Sequence, residues 1–138
     1  MLYTIGYQGR TLDDLLALLH GHDIDRLIDI RELPLSRRRG FSKTPLGDAL
    51  RGDGIEYIHA RIAGNPYRTD KDLIPRPELL AKYRAHLNAS RRVAAEVAAL
   101  ARDHTVALLC YEAAAAECHR SILAPRVARR LGVKVADL

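Results

Sequence analysis

Apolar and polar positions along the chain fall into two alternating kinds of run. Short apolar runs occupy residues 2–5, 26–31, 55–59, 105–111 and 133–138, the lengths of β-strands. Between them lie amphipathic stretches. Leu12, Leu15, Leu16 and Leu19 recur at i, i+3, i+4 and i+7, which is one helical face. Thr11 is placed to cap that helix, Asp14 sits where a carboxylate favours the N-terminal dipole, and Gly21 ends it. Residues 34–47 have Pro, Gly and Ser at turn density, so they read as a loop, with a short helix over 45–50. A second loop runs from the Gly64-Asn65-Pro66 turn to Pro77. Residues 77–101 read as two helices broken near Asn88 or Ser90. Residues 118–131 form a last helix closed by Gly132.

Alternating strands and helices predict an α/β fold. The expected architecture is a single domain over residues 1–138, with a mostly parallel sheet flanked by helices in three layers, Rossmann- or flavodoxin-like. In such sheets ligands bind beyond the carboxyl ends of the strands. Candidate chemistry is therefore sought in the segments that follow strands.

Composition narrows the field. The 138 residues are 48% hydrophobic and 28% charged, which excludes a disordered chain, a collagen and a coiled coil. No apolar run approaches the ~20 residues of a membrane helix, so no membrane partner is expected. The start MLYTIGYQGR lacks the pattern of a secretory signal, so the expected location is cytoplasmic, where Cys110 and Cys118 would be thiols. A net charge of +5 favours nucleic acid or an anionic small molecule as partner. Nothing in the pattern assigns an oligomeric state.

Three segments follow strand ends. Gly6-Tyr7-Gln8-Gly9 makes a strand-to-helix turn whose amides could face an anion; the plainer reading is a tight turn. Asp29 and Arg31 project from one side of their strand, as an ion pair or a ligand contact. Ser36, Arg37 and the following arginines offer forks for phosphate oxygens, or form a solvated basic loop. Cys110-Tyr111-Glu112 closes the most apolar strand, and Cys118-His119-Arg120 opens the next helix. A thiol there, beside His and Arg, is suited to nucleophilic chemistry. Glu112 and His119 are suited to proton transfer, and Arg120 to holding an anion. Each residue also has a structural alternative: a buried apolar Cys110, a helix-capping Glu112, a salt-bridged Arg120. No cofactor is expected. A divalent metal on Cys110, Glu112, Cys118 and His119 fits no usual ligand spacing, so no metal ligand is assigned.

Thr4-Ile5-Gly6-Tyr7, Asp29-Ile30-Arg31 with Pro34, Ser36 and Arg37, Gly54-Ile55-Glu56-Tyr57, Leu109-Cys110-Tyr111-Glu112 and Cys118-His119-Arg120 occur in order along nearly the whole chain. In this the sequence resembles the DUF488 family, small bacterial and archaeal proteins named for their unknown function. It departs at Tyr7, where the family often has His, and at Ala63-Gly64, where it often has a Gly pair. The resemblance implies a compact α/β domain and supplies no reaction.

Three functions are therefore weighed. The first is an enzyme acting on a phosphate-bearing substrate, nucleic acid or nucleotide. Its catalytic residues would be Cys118, His119 and Glu112. Its substrate-binding residues would be Arg31, Arg37, Arg120, Asp29, Ser36, Gly6 and Tyr7. The second is a non-catalytic nucleic-acid-binding module. The third is a thiol or metal sensor built on Cys110 and Cys118.

Overall fold

A computed structural model describes residues 1–68 and 72–138. The strands are β1 (Leu2–Gly6), β2 (Arg26–Asp29), β3 (Glu56–His59), β4 (Val106–Cys110) and β5 (Val135–Asp137). The helices are α1 (Leu12–Gly21), α2 (Lys43–Gly52), α3 (Arg76–Ala89), α4 (Arg92–Ala101) and α5 (Arg120–Leu131). All five strands are parallel, in the order β3-β2-β4-β1-β5. Relative to the 3-2-1-4-5 order of doubly wound nucleotide folds, β1 and β4 have exchanged places. Residues 69–71, within the expected second loop, lie outside the described residues.

Local signals produce these elements as expected. Thr11 and Asp14 form a reciprocal capping box on α1, and the Thr11 amide and hydroxyl hold the Asp14 carboxyl below its usual range. Ser90 separates α3 from α4. Gly132 closes α5 in the left-handed region at φ 69°. Helix α2 is longer than the expected 45–50 and takes in residues expected in the preceding loop, and two further boundaries differ from the sequence reading for local reasons. β2 stops at Asp29 because the Arg31 amide turns onto the Asp29 side chain at 3.1 Å instead of continuing the strand. Helix α5 starts at Arg120, since Cys118 is still extended at φ −117°, ψ 148°.

Alternation along the strands divides the core in two. Ile28, Val106, Leu108 and Cys110 pack under α3, α4 and α5. Ile5, Leu27, Ala107 and Leu109 pack under α1 and α2. The chain leaves β1 towards β2 and leaves β4 towards β5, so these neighbouring strands feed helices on opposite faces. Their carboxyl ends diverge at a switch point, where open α/β sheets place ligands. Among the described residues, no helix is long and apolar enough to cross a membrane.

Candidate functional site

A cleft of about 780 Å³ opens at this switch point. Its inner surface includes Tyr7 after β1, Arg31 after β2, and Cys110, Tyr111 and Glu112 at the end of β4. Two glycines let its loops close together. A Cβ at Gly6 would lie 1.8 Å from the Glu112 carbonyl oxygen, and one at Gly64 would lie 2.4 Å from the Glu32 Cα. No side chain fits at either position without moving backbone. The amides of Tyr7 and Gln8 donate to the carbonyls of Cys110 and Tyr111. The turn after β1 thus ties two loops together, and Gly6 does not line the cleft.

On the α1–α2 face, Asp29 is fully buried and receives Arg31 twice, from Nε at 2.9 Å and Nη2 at 2.7 Å. Tyr57 donates its hydroxyl to the same carboxylate at 2.6 Å. Arg31 Nη1 donates to the Phe41 carbonyl at 2.7 Å and to the Tyr7 hydroxyl at 3.2 Å. Burial works against the Arg31 charge, but the Asp29 hydrogen bonds and charge outweigh it and hold the pKa above its ordinary value. Burial, then the neighbouring carboxylate, pushes the Tyr57 hydroxyl up. Tyr7 stacks on Phe41 with centroids 4.5 Å apart. Asp29 and Arg31 therefore form an ion pair, one of the two roles the sequence leaves open.

On the opposite face, Arg120 is fully buried. It donates to the Thr4 hydroxyl at 3.1 Å, the Glu112 carbonyl at 2.6 Å, the Ala113 carbonyl at 3.0 Å and Cys110 Sγ at 2.7 Å. Burial depresses its pKa, against the pull of Asp137 and Glu112. His119 Nε2 donates to the Ile30 carbonyl at 2.8 Å. A carbonyl only accepts, so Nε2 carries the proton and Nδ1 the lone pair. That lone pair faces Cys118 Sγ at 3.6 Å. Burial lowers the His119 pKa, opposed by the Ile30 carbonyl and Glu112. Tyr83 packs edge-on against the ring at 4.9 Å.

Cys110 and Cys118 are joined as a disulfide, which corrects the expectation of two thiols. The register brings them together: the last residue of β4 faces the extended residue just before α5. Their Cα atoms are 7.3 Å apart, past the usual ~4.4–6.8 Å of bridged pairs. Donor atoms of Cys110, Glu112 and Cys118 lie within 4.8 Å of one another. With both sulfurs bonded to each other, a metal is not shown there.

The outer wall holds residues the sequence reading passed over. Asn65, Arg68, Arg76, Leu79, Leu80 and Glu117 line the same cleft as Ser36 and Arg37. Arg76 pairs with Glu112 at 3.3 Å and donates to the Glu117 carbonyl at 2.7 Å. The Arg68 amide donates to the Asn65 carbonyl at 3.1 Å, while the side chains of Arg37 and Arg68 make no hydrogen bond or ion pair among the described residues. Ser36 is drawn into its own loop, where its hydroxyl accepts the Arg38 amide. Of the expected site residues, Tyr7, Arg31, Ser36, Arg37, Glu112 and His119 line one cleft. Asp29, Cys118 and Arg120 sit behind its surface as buried supports. In the sequence Arg68 and Arg76 stand singly in a segment that holds Pro66, Pro75 and Pro77.

The family model for the domain of unknown function DUF488 matches residues 11–127, most of the chain. The chain belongs to this family. No curated protein and no solved structure matches it. The DUF488 match spans the ion pair of β2, the Cys-Tyr-Glu end of β4 and the Cys-His-Arg entry of α5. Family membership thus covers the walls of the cleft and names no reaction for them.

Proposed function

We propose that this DUF488 chain is an enzyme acting on a phosphate-bearing substrate, a nucleic acid or nucleotide, held in the cleft. One observation carries the reading: the lining of the cleft combines arginine forks with apolar side chains. Arg37, Arg68 and Arg76 supply planar forks suited to phosphate oxygens. Leu33, Leu35, Leu79, Leu80 and Tyr111 supply apolar surface suited to a base and sugar. About 780 Å³ lies within the usual range of small-molecule pockets. Glu112, half-buried in the same cleft, is the candidate proton carrier. In the reduced protein the Cys118 thiol would face the lone pair of His119, the arrangement by which an imidazole activates a thiol nucleophile.

The test is one series with labelled nucleotides and single- and double-stranded DNA and RNA. Wild type is expected to bind and form product. Arg68→Ala is expected to weaken binding about tenfold, the effect of losing ~1.4 kcal/mol. Glu112→Gln is expected to bind and form no product. Product formation unchanged in Glu112→Gln and His119→Ala would defeat the assigned roles. A second reading, a non-catalytic nucleic-acid-binding module, rests on the basic rim of Arg10, Arg38 and Arg39 outside the cleft. Its signature is binding that falls steeply with salt and yields no product.

A further inference from the structure

A buried cation is costly unless an anion sits against it. Arg31 has Asp29. Arg120 has no carboxylate in contact among the described residues: it meets one hydroxyl, two carbonyls and the sulfur of Cys110. The nearest carboxylate along its hydrogen bonds is Asp137, reached through the Thr4 hydroxyl. Opening the Cys110–Cys118 bond creates an anion where Arg120 lacks one, at a sulfur 2.7 Å from its guanidinium. The other sulfur is also provided for. Cys118 Sγ lies 3.5 Å from the Arg120 amide and 3.6 Å from the His119 lone pair. Both cysteines are buried, and Cys110 is the one of the two that lines the cleft, so it is the sulfur a reagent in the cleft reaches.

We propose that Cys110–Cys118 is a redox-active disulfide that exchanges with a dithiol entering the cleft, releasing Cys110 as a thiolate paired with Arg120. A thiolate of the dithiol attacks Cys110 Sγ. The Cys110–Cys118 bond breaks, and Cys118 leaves with the electron pair, takes a proton and donates it in a hydrogen bond to His119 Nδ1. The dithiol's second sulfur then attacks its first, the mixed disulfide breaks, and Cys110 leaves as a thiolate against Arg120. Two electrons pass from the dithiol to the protein. The dithiol ends as a cyclic disulfide; of its two protons, one rests on Cys118 and one goes to solvent. The ionisable groups that face the pair are Arg120, His119 and Glu112, with Arg10 and Asp137 acting on Arg120. Glu112 opposes a thiolate but is itself paired with Arg76.

The test equilibrates the full chain with dithiothreitol and then with glutathione buffers of graded ratio. Free thiols are trapped by alkylation and counted by mass. Structural disulfides resist glutathione, whereas labile ones do not. The expected result is half-reduction within the glutathione range, and a midpoint moved at least tenfold towards more reductant in Arg120→Met. A pair that stays oxidised at every glutathione ratio overturns the proposal, as does an unmoved midpoint in a folded Arg120→Met. Should that variant not fold, Cys118→Ser decides: the alkylation of Cys110 against pH is expected to reach its midpoint below the ~8.5 of free cysteine. A midpoint at or above that value overturns the proposal. Nucleotide binding enters neither readout, so this test and that of the cleft fail separately.

Discussion

Two arginines are buried beside the cleft, one on each face of the sheet, and they are held in different ways. Arg31 lies in a fork of hydrogen bonds with a carboxylate two residues earlier, at the end of β2. Arg120 reaches across from α5 to neutral partners drawn from β1 and the β4 exit. Burial works against both charges. The adjacent carboxylate reverses that effect for Arg31, whereas Arg120 remains below its ordinary value. The pair around Asp29 is thus self-contained and braces the floor of the cleft. The cation of Arg120 is left seeking charge, and a sulfur is the group placed to supply it.

The sharpest way to break this contrast is Asp29→Asn. It leaves the Arg31 charge buried without its anion, and about 3–5 kcal/mol of stability should be lost. Urea unfolding at neutral pH measures it; a loss below ~1 kcal/mol would mean that the ion pair is not what stabilises Arg31. Arg120→Met removes a cation rather than orphaning one. Its cost is the unpaired carbonyls of Glu112 and Ala113, about 1–3 kcal/mol for an unsatisfied group. A cost equal to that of Asp29→Asn would erase the distinction drawn here.

The smallest effect concerns pH. The folded pKa of His119 lies below its unfolded value of ~6.5, so the unfolded chain binds the proton more readily. The contribution of His119 is present above that unfolded pKa and is lost as pH falls through ~6.5 towards the folded value. Unfolding midpoints of wild type should drop between pH 7.5 and 5.5 more than those of His119→Asn. Parallel profiles would show that the ring does not titrate with folding.

Most of the fold is legible in the chain because its signals are local. Thr11 with Asp14, the apolar run of β4, the break at Ser90 and the cap at Gly132 act within a few residues of themselves. The end of β2 was not legible, because it depends on Asp29 drawing in the Arg31 amide. In the site, the strand-end rule brings Tyr7, Arg31, Ser36, Arg37, Glu112 and His119 to one cleft. The sequence left Arg31 open between an ion pair with Asp29 and a ligand contact, and the neutral partners of Arg120 were not legible, since a guanidinium reads as a ligand-binding fork until its acceptors are known. Neither was the joining of Cys110 to Cys118, which rests on how far the turn after β4 folds back. Arg68 and Arg76 lie in and after an aperiodic loop that no strand end announces.

The 1.8 Å that a side chain at position 6 would leave to Glu112 has a further consequence for anyone wishing to redesign this molecule. Beneath the cleft the turn after β1 and the exit of β4 meet backbone to backbone, so no side chain can be added at that point without moving the chain. The rim, residues 33–37 and 65–68 with the first turns of α3, carries exposed side chains such as Leu33, Leu35 and Arg37. New selectivity would have to be written into that rim, over a base plate that stays the same from variant to variant.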